Sequence, residues 1–358
     1  MILTYRYRVK DATTAKRLGA HAQAVNCVWN FCGETQEMAR RSERPWPSAF
    51  DFIRLTTGSS VLLGLHSDTV QAVCKQFVVN RDATGRRPRW RGKKSLGWIP
   101  FASGRAITLA GDSVTYVKRR YRLWHSRPIN GKIKAGCFAQ DARGRWYLSL
   151  IVQIAETRTC GVGEIGVDLG LMTLATLSDG RKIENPRHFK KYHPLLAAAQ
   201  RAGKRRRVLA IHSRIANARM HYLHVLSAKL ARENRLIVVG NVDAKSLPYR
   251  SQRKSAIDAS WSQFRSQLRY KASRHGGFYI ETDETGTSVS CSACGAHSGP
   301  KGSSGLRVRA WVCDRCDARH DRDVNAAMNL LLRAERRPPL VESPSMVGEE
   351  DVKDAPFV

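Results

Sequence analysis

Four cysteines limit the architecture of this chain more than any other feature. Cys291-Ser-Ala-Cys294 and Cys313-Asp-Arg-Cys316 are two CxxC knuckles with 18 residues between them, a spacing that lets four thiolates close on one tetrahedral ion. The intervening Gly-Pro-Lys-Gly-Ser-Ser-Gly run at 299–305 suits a flexible ribbon hairpin. With sulfur at all four positions a Zn2+ ion there is structural and keeps no open position for catalysis. Iron or a redox dithiol is the competing reading. The remaining cysteines, Cys27, Cys32, Cys74, Cys137 and Cys160, lack such spacing and read as core or surface thiols.

Charge narrows the partner. The 358 residues carry 61 Lys and Arg against 30 Asp and Glu, a formal net charge of +31. A compact protein holds such an excess at the cost of self-repulsion unless a polyanion neutralises it, so nucleic acid is the expected partner. The excess is uneven: residues 341–358 hold Glu342, Glu349, Glu350, Asp351 and Asp354 against Lys353 alone, an expected acidic disordered tail. No apolar run approaches membrane-spanning length, and the start lacks the apolar core of a signal peptide. The expectation is a cytosolic protein without a membrane partner.

Periodicity divides the chain. Residues 3–9 alternate as a strand does, and Leu18, Ala22, Val25, Val28 and Trp29 then fall at helical spacing. Residues 60–80 read as another helix. A basic loop follows, with Arg86, Arg87, Arg89, Arg91, Lys93 and Lys94 around Pro88 and Trp90. From about 98 to 155 the period becomes two, with short runs at 106–109, 113–117, 132–140 and 145–154, which suggests an antiparallel barrel or sheet. Lys118, Arg119, Arg120 and Arg122 interleave there with Tyr121 and Trp124, a combination that pairs phosphates and stacks on bases, or else forms a plain solvated strand face.

Beyond Cys160 the pattern turns α/β. Residues 164–180 read as a strand hairpin with Asp168 near its start. Lys204, Arg205, Arg206 and Arg207 then lead into a helix marked by Val208, Ile211, Ile215, Tyr222, Val225 and Leu230. Leu236–Val239 is a buried strand. Ile257, Trp261, Phe264, Leu268 and Ala272 form the stripe of a further helix, stopped by Gly276-Gly277 before a strand at 278–280. Asp323 lies in His320-Asp-Arg-Asp-Val-Asn-Ala-Ala-Met-Asn-Leu-Leu331, where Asp321 is placed to cap a helix. Taken singly, Asp168 and Asp323 read as caps or surface groups at least as readily as chemistry.

Together, the segments IGVDLG at 165–170, TSVSCSACG at 287–295 and HDRDVNAAMNLL at 320–331 resemble the TnpB (OrfB) family of transposon-encoded RNA-guided DNA nucleases and the compact type V CRISPR effectors related to it. The resemblance implies an α/β RuvC-like (RNase H fold) nuclease domain over 164–340 with a zinc ribbon inserted at about 287–319. It implies a β-barrel wedge domain at 1–10 and 96–155, carrying a helical recognition lobe at 11–95, with a linker at 156–163. It also implies a guide RNA and a double-stranded DNA target held by one protein copy in a ribonucleoprotein of the prokaryotic cytosol, with oligomers left open. A short flanking DNA motif is read by the protein, and RNA pairing selects the sequence. Backbone contact would fall to the basic runs, Arg86 to Arg91 with Trp90, Lys118 to Arg122 with Tyr121, and Lys204 to Arg207.

By the same resemblance two Mg2+ ions are held by three carboxylates, hard oxygen ligands for a hard cation. Asp168 matches the first acid and Asp323 the last, with Asp321 as runner-up. The family's glutamate would follow the strand at 236–239, where this chain has Gly240-Asn241. Some family members carry the glutamate on the strand before the ribbon, which favours Glu284, with Glu281 behind it. The alternative is a nuclease-inactive RNA-guided DNA-binding protein acting as a repressor. A plain DNA-binding zinc protein would leave Asp168 and the 321–327 segment without a reason.

Overall fold

The computed structural model describes residues 2–10, 12–155, 161–241, 260–305 and 307–335. The expected acidic tail, Cys160, Ile257 and the 156–160 part of the linker lie outside the described residues. The chain divides into two compact units, one built from residues up to 155 and one from residues 156–345.

In the first unit, β1 (Ile2–Val9) lies at the centre of a seven-stranded antiparallel sheet. The other strands are β2 (Trp98–Phe101), β3 (Ile107–Ala110), β4 (Ser113–Tyr116), β5 (Arg119–Trp124), β6 (Lys132–Gln140) and β7 (Trp146–Gln153). Their order is β2-β6-β7-β1-β5-β4-β3, a half-barrel whose end strands do not pair with each other among the described residues. The period-two pattern is the cause, since Tyr5, Tyr7 and Val9 of β1 turn inward while the arginines between them face out.

Four helices separate β1 from β2: α1 (Ala12–Arg41), α2 (Ala49–Leu55), α3 (Ser59–Leu62) and α4 (Ser67–Thr84). The single helix expected over 60–80 is therefore two. Gly64, at φ 60°, turns the chain after α3, and the His66 ring Nδ1 accepts the Asp68 N–H to start α4 afresh (3.2 Å). Leu18, Val25, Trp29 and Cys32 pack with Phe52, Val73 and Phe77 in the core of this unit.

Two expected nucleic-acid contacts are overturned by packing. Tyr121 is 1% exposed because alternation along β5 sends it inward while Arg120, Arg122 and Trp124 face out, so it cannot stack on a base. Arg91 is held within the unit: its Nε donates to Asn26 Oδ1 (2.7 Å), its Nη2 to the Leu96 carbonyl (2.8 Å), and its guanidinium lies over Trp29 and Trp98. Arg86, Arg87, Arg89, Trp90, Lys118, Arg119, Arg120 and Arg122 are exposed.

The second unit is a five-stranded sheet in the order β10-β9-β8-β11-β12. Its strands are β8 (Gly163–Leu169), β9 (Thr173–Leu177), β10 (Lys182–Glu184), β11 (Asn234–Gly240) and β12 (Phe278–Thr282). The β8–β9–β10 pairs are antiparallel, whereas β11 runs parallel to both β8 and β12. Helices α5 (His188–Arg201) and α6 (Arg205–Glu233) connect β10 to β11, α7 (Trp261–Arg274) precedes β12, and α8 (Arg322–Glu335) ends the described chain. A small antiparallel ribbon, β13 (Ala310–Val312) with β14 (Arg319–Asp321), carries the second knuckle.

Alternation along β8 assigns the two faces of this sheet. Ile165, Val167 and Leu169 share a core with Leu223 and Leu230 of α6 and with Trp261, Phe264, Leu268 and Ala272 of α7. Gly166 and Asp168 point the other way, toward α8. A Cβ on Gly166 would run into the Ala327 carbonyl, so glycine on the strand and buried alanines at 326 and 327 on the helix permit the close approach. Val225, one of the residues at helical spacing that mark α6, is 58% exposed and faces away from this core. Gly166→Ala is expected to cost about 1–3 kcal/mol, as overpacking against backbone does, read as a lowered midpoint of chemical denaturation.

Candidate active site and zinc centre

The four knuckle sulfurs all lie within 4.8 Å of one another, with the Cys291–Cys316 pair at 3.7 Å and the Cys294–Cys313 pair at 3.6 Å. A tetrahedron with metal–sulfur bonds of about 2.3 Å has edges of about 3.8 Å, so the thiols fit Zn2+ as they stand. The two knuckles fold alike. The Gly295 N–H donates to the Cys291 carbonyl and the Asp317 N–H to the Cys313 carbonyl, and Gly295 and Asp317 are both left-handed. Around them, Ser298 Oγ donates to Cys313 Sγ (3.1 Å) and His320 Nε2 lies 3.0 Å from Cys291 Sγ, contacts that orient metal-bound thiolates.

Three acids from separate segments gather where α8 crosses the sheet. Asp168 leaves β8 on the α8 side, and burial, reinforced by the negative charges of Glu284 and Asp323, pushes its carboxyl up to about 8, with Arg322 opposing. Glu284 sits in the turn after β12. Its Oε2 lies 2.8 Å from the point where a Cβ on Gly240 would stand, so its carboxylate fills the space left by the missing side chain at the end of β11. Burial, then Asp283, raises the Glu284 carboxyl, with Arg265 opposing. Asp323 lies in the first turn of α8, with both carboxylate oxygens 3.2 Å from Arg309 Nη1. Among the described residues only the cysteines bring three or more ligand atoms into mutual contact; the acids lie near one another without converging so tightly.

The runners-up are engaged elsewhere. Glu281 meets Arg269 (2.6 Å) and the Tyr279 hydroxyl (2.8 Å), on the α7 side of the sheet and opposite Asp168. Asp321 caps α8: its Oδ1 accepts the Asp323 and Val324 N–H groups (both 3.1 Å) and its Oδ2 binds Lys182. Lys204 to Arg207 are exposed where α6 begins. Sequence reasoning missed Arg309, Arg322, Asn329 and Arg333 as neighbours of the site. Only the two asparagines of the 320–331 segment offered a signal, as amide side chains in the otherwise apolar run at 324–332.

Similarity to known proteins follows this geometry. A family model described as "Probable transposase" matches residues 151–250, and one described as "Cas12f1-like, TNB domain" matches 261–330. A Streptomyces pristinaespiralis protein named "Putative RNA-guided DNA endonuclease" is 32% identical over 306 residues, covering 80% of this chain and 74% of its own. The chain belongs to the TnpB family. A second relative of this TnpB-family chain, InsQ of Escherichia coli (strain K12), is 30% identical over 243 residues and carries the same description, with 59% of each chain covered. The protein solved in the "Cryo-EM structure of the Cas12f1-sgRNA-target DNA complex" superposes with a TM-score of 0.59 over 89% of this chain and 83% of its own at 11% identity, a likeness of fold.

Two outcomes are expected of this TnpB-family site. The purified protein carries one zinc per chain by elemental mass spectrometry, and Cys294→Ser or Cys313→Ser removes nearly all of it and lowers the thermal midpoint. The second concerns pH. Because the folded-state pKa of Asp168 lies above its ordinary 3.8, the folded protein holds this proton more tightly than the unfolded chain, and stability falls as pH rises from about 4 to about 8. Asp168→Asn therefore raises the thermal midpoint in Mg2+-free buffer by at least about 3 °C at pH 8.5, with a smaller gain near pH 5.

Proposed function

We propose that this chain is an RNA-guided DNA endonuclease that binds a guide RNA, reads a short flanking DNA motif and hydrolyses target phosphodiesters with Mg2+. The observation that carries the reading is the proximity of Asp168, Glu284 and Asp323 on the α8 face, with the Glu284 carboxylate in the space beside Gly240. The strand order, three antiparallel strands followed by two parallel ones with the first acid on the central strand, supports a RuvC-like (RNase H fold) nuclease domain.

The donor set suits Mg2+: carboxylate oxygens only, with Asp168 pushed up to about 8 first by burial and then by the negative charges of Glu284 and Asp323, a charge that divalent cations would offset. Two Mg2+ ions bound by Asp168, Glu284 and Asp323 would supply an activated water and stabilise the leaving oxygen. The chain's own part is to hold these carboxylates at fixed spacing against α8. The exposed bases Arg86, Arg87, Arg89, Lys118, Arg119, Arg120, Arg122 and Lys204 to Arg207, with Trp90 as a stacking surface, engage RNA and DNA backbones without regard to sequence. Tyr121 and Arg91 take no part in that contact. Zinc held by the four cysteines would shape the ribbon and leave chemistry to the carboxylates.

The test begins with expression together with the native flanking DNA and sequencing of the RNA that copurifies. One abundant RNA with a constant structured part and a separable end is expected. Loaded with it, the protein cuts matched DNA in Mg2+, Glu284→Gln abolishes cutting while leaving DNA binding intact, and Glu281→Gln retains cutting. Moving the acid back, with Gly240→Glu combined with Glu284→Ala, restores cleavage relative to Glu284→Ala alone. Unspecific cellular RNA in place of a guide overturns the RNA-guided reading. Guided binding without cleavage in the unmodified protein makes it an RNA-guided repressor.

A further inference from the structure

Glu284 differs from the other two acids in what supports it. Asp168 sits in a strand paired on both sides, and Asp323 sits in a helix capped by Asp321. Glu284 follows the edge strand β12 and occupies a turn with no ladder partner of its own. An acid that must share a metal site has to be held to within about 0.5 Å, so the turn needs another support.

That support comes from one stripe of α8. Within the turn, the Thr287 N–H and Oγ1 both donate to the Glu284 carbonyl (3.1 and 2.8 Å). The Asn325 Nδ2 donates to the carbonyls of Thr287 and Ser290 (3.1 and 2.8 Å), and the Asn329 Nδ2 donates to the same two (2.8 and 2.7 Å). Asn325 Oδ1 accepts the Ser292 N–H (2.9 Å). One turn further along, the Arg333 guanidinium donates to the carbonyls of Asp283 (2.6 Å) and Thr285 (2.8 Å), on either side of Glu284. Positions 325, 329 and 333 are four apart and so lie on one helical face. Asn325 and Asn329 are 1% and 8% exposed, and buried amides aimed at buried carbonyls are costly to break.

We propose that Asn325, Asn329 and Arg333 form a clamp that positions Glu284 against Asp323 for metal binding. The inference rests on the reading of Glu284 as a metal-binding acid. Because α8 carries Asp323 in its first turn and the clamp in the turns that follow, one rigid helix sets the spacing between two of the three carboxylates. A clamp that merely anchored the first zinc knuckle, which begins at Cys291, would make the same hydrogen bonds, so the test must separate the two roles.

The measurement is Mn2+ binding to the full-length protein, titrated by electron paramagnetic resonance, with zinc content and thermal midpoint recorded on each sample. Arg333→Ala, which opens no buried cavity, and Asn329→Ala each weaken Mn2+ affinity about tenfold, the effect typical of groups that orient metal ligands, while zinc remains at one per chain. In the Gly240→Glu, Glu284→Ala background, where the acid stands on β11 and no longer depends on the turn, the same substitutions weaken Mn2+ binding at least fivefold less. An unchanged Mn2+ affinity for Arg333→Ala, or equal losses in both backgrounds, overturns the positioning role and leaves a ribbon anchor. Should Glu284→Gln itself leave Mn2+ binding untouched, the assignment of Glu284 fails, and the clamp's role fails with it.

Discussion

The contact on which the second unit depends is the approach of α8 to β8. A strand with a side chain at position 166 would hold the helix off at ordinary packing distance, and Gly166 with Ala327 removes that barrier. Helix and sheet then meet closely enough for the first turn of α8 to deliver Asp323 beside Asp168, and for its later turns to grip the segment carrying Glu284. Small residues here are therefore a geometric requirement of the site as well as of the core. The same helix binds the zinc ribbon through Asn325 and Ser292, so the helix that carries Asp323 also holds the first knuckle.

Electrostatics pull in opposite directions in the two kinds of surface. The chain carries +31 overall, yet its most perturbed carboxylate is a buried acid raised by burial and by two other acids. Arg309 on Asp323 and Arg322 near Asp168 offset part of that surplus from the protein side. The raised Asp168 thus works against folding at neutral pH and above, while the exposed bases carry the positive excess.

Much of this was legible in the sequence wherever a local pattern is tied to a fixed geometry. The CxxC spacing gave the sulfur cluster, the period-two runs gave most strands, and Asp321 was recognisable as a cap. What escaped was decided by parity and by tertiary packing. Tyr121 read as a stacking residue because its neighbours are basic, but a strand buries every second side chain. Sequence ranks Glu284 ahead of Glu281 without a geometric reason, and the structure separates them: the first lies within β12 on the α7 face and the second lies past its end, turned toward Gly240. Arg91 has the composition of a phosphate contact and instead ties its loop to α1. Arg333 carries no sequence signal, because the carbonyls it binds lie 48 and 50 residues away.

The shared space of Gly240 and Glu284 also limits how such a site can evolve. Acids at both positions would place two carboxylates in one volume, and acids at neither would leave that volume without one. Glycine at 240 is what leaves room for the Glu284 carboxylate, so any larger side chain there obliges the acid to move.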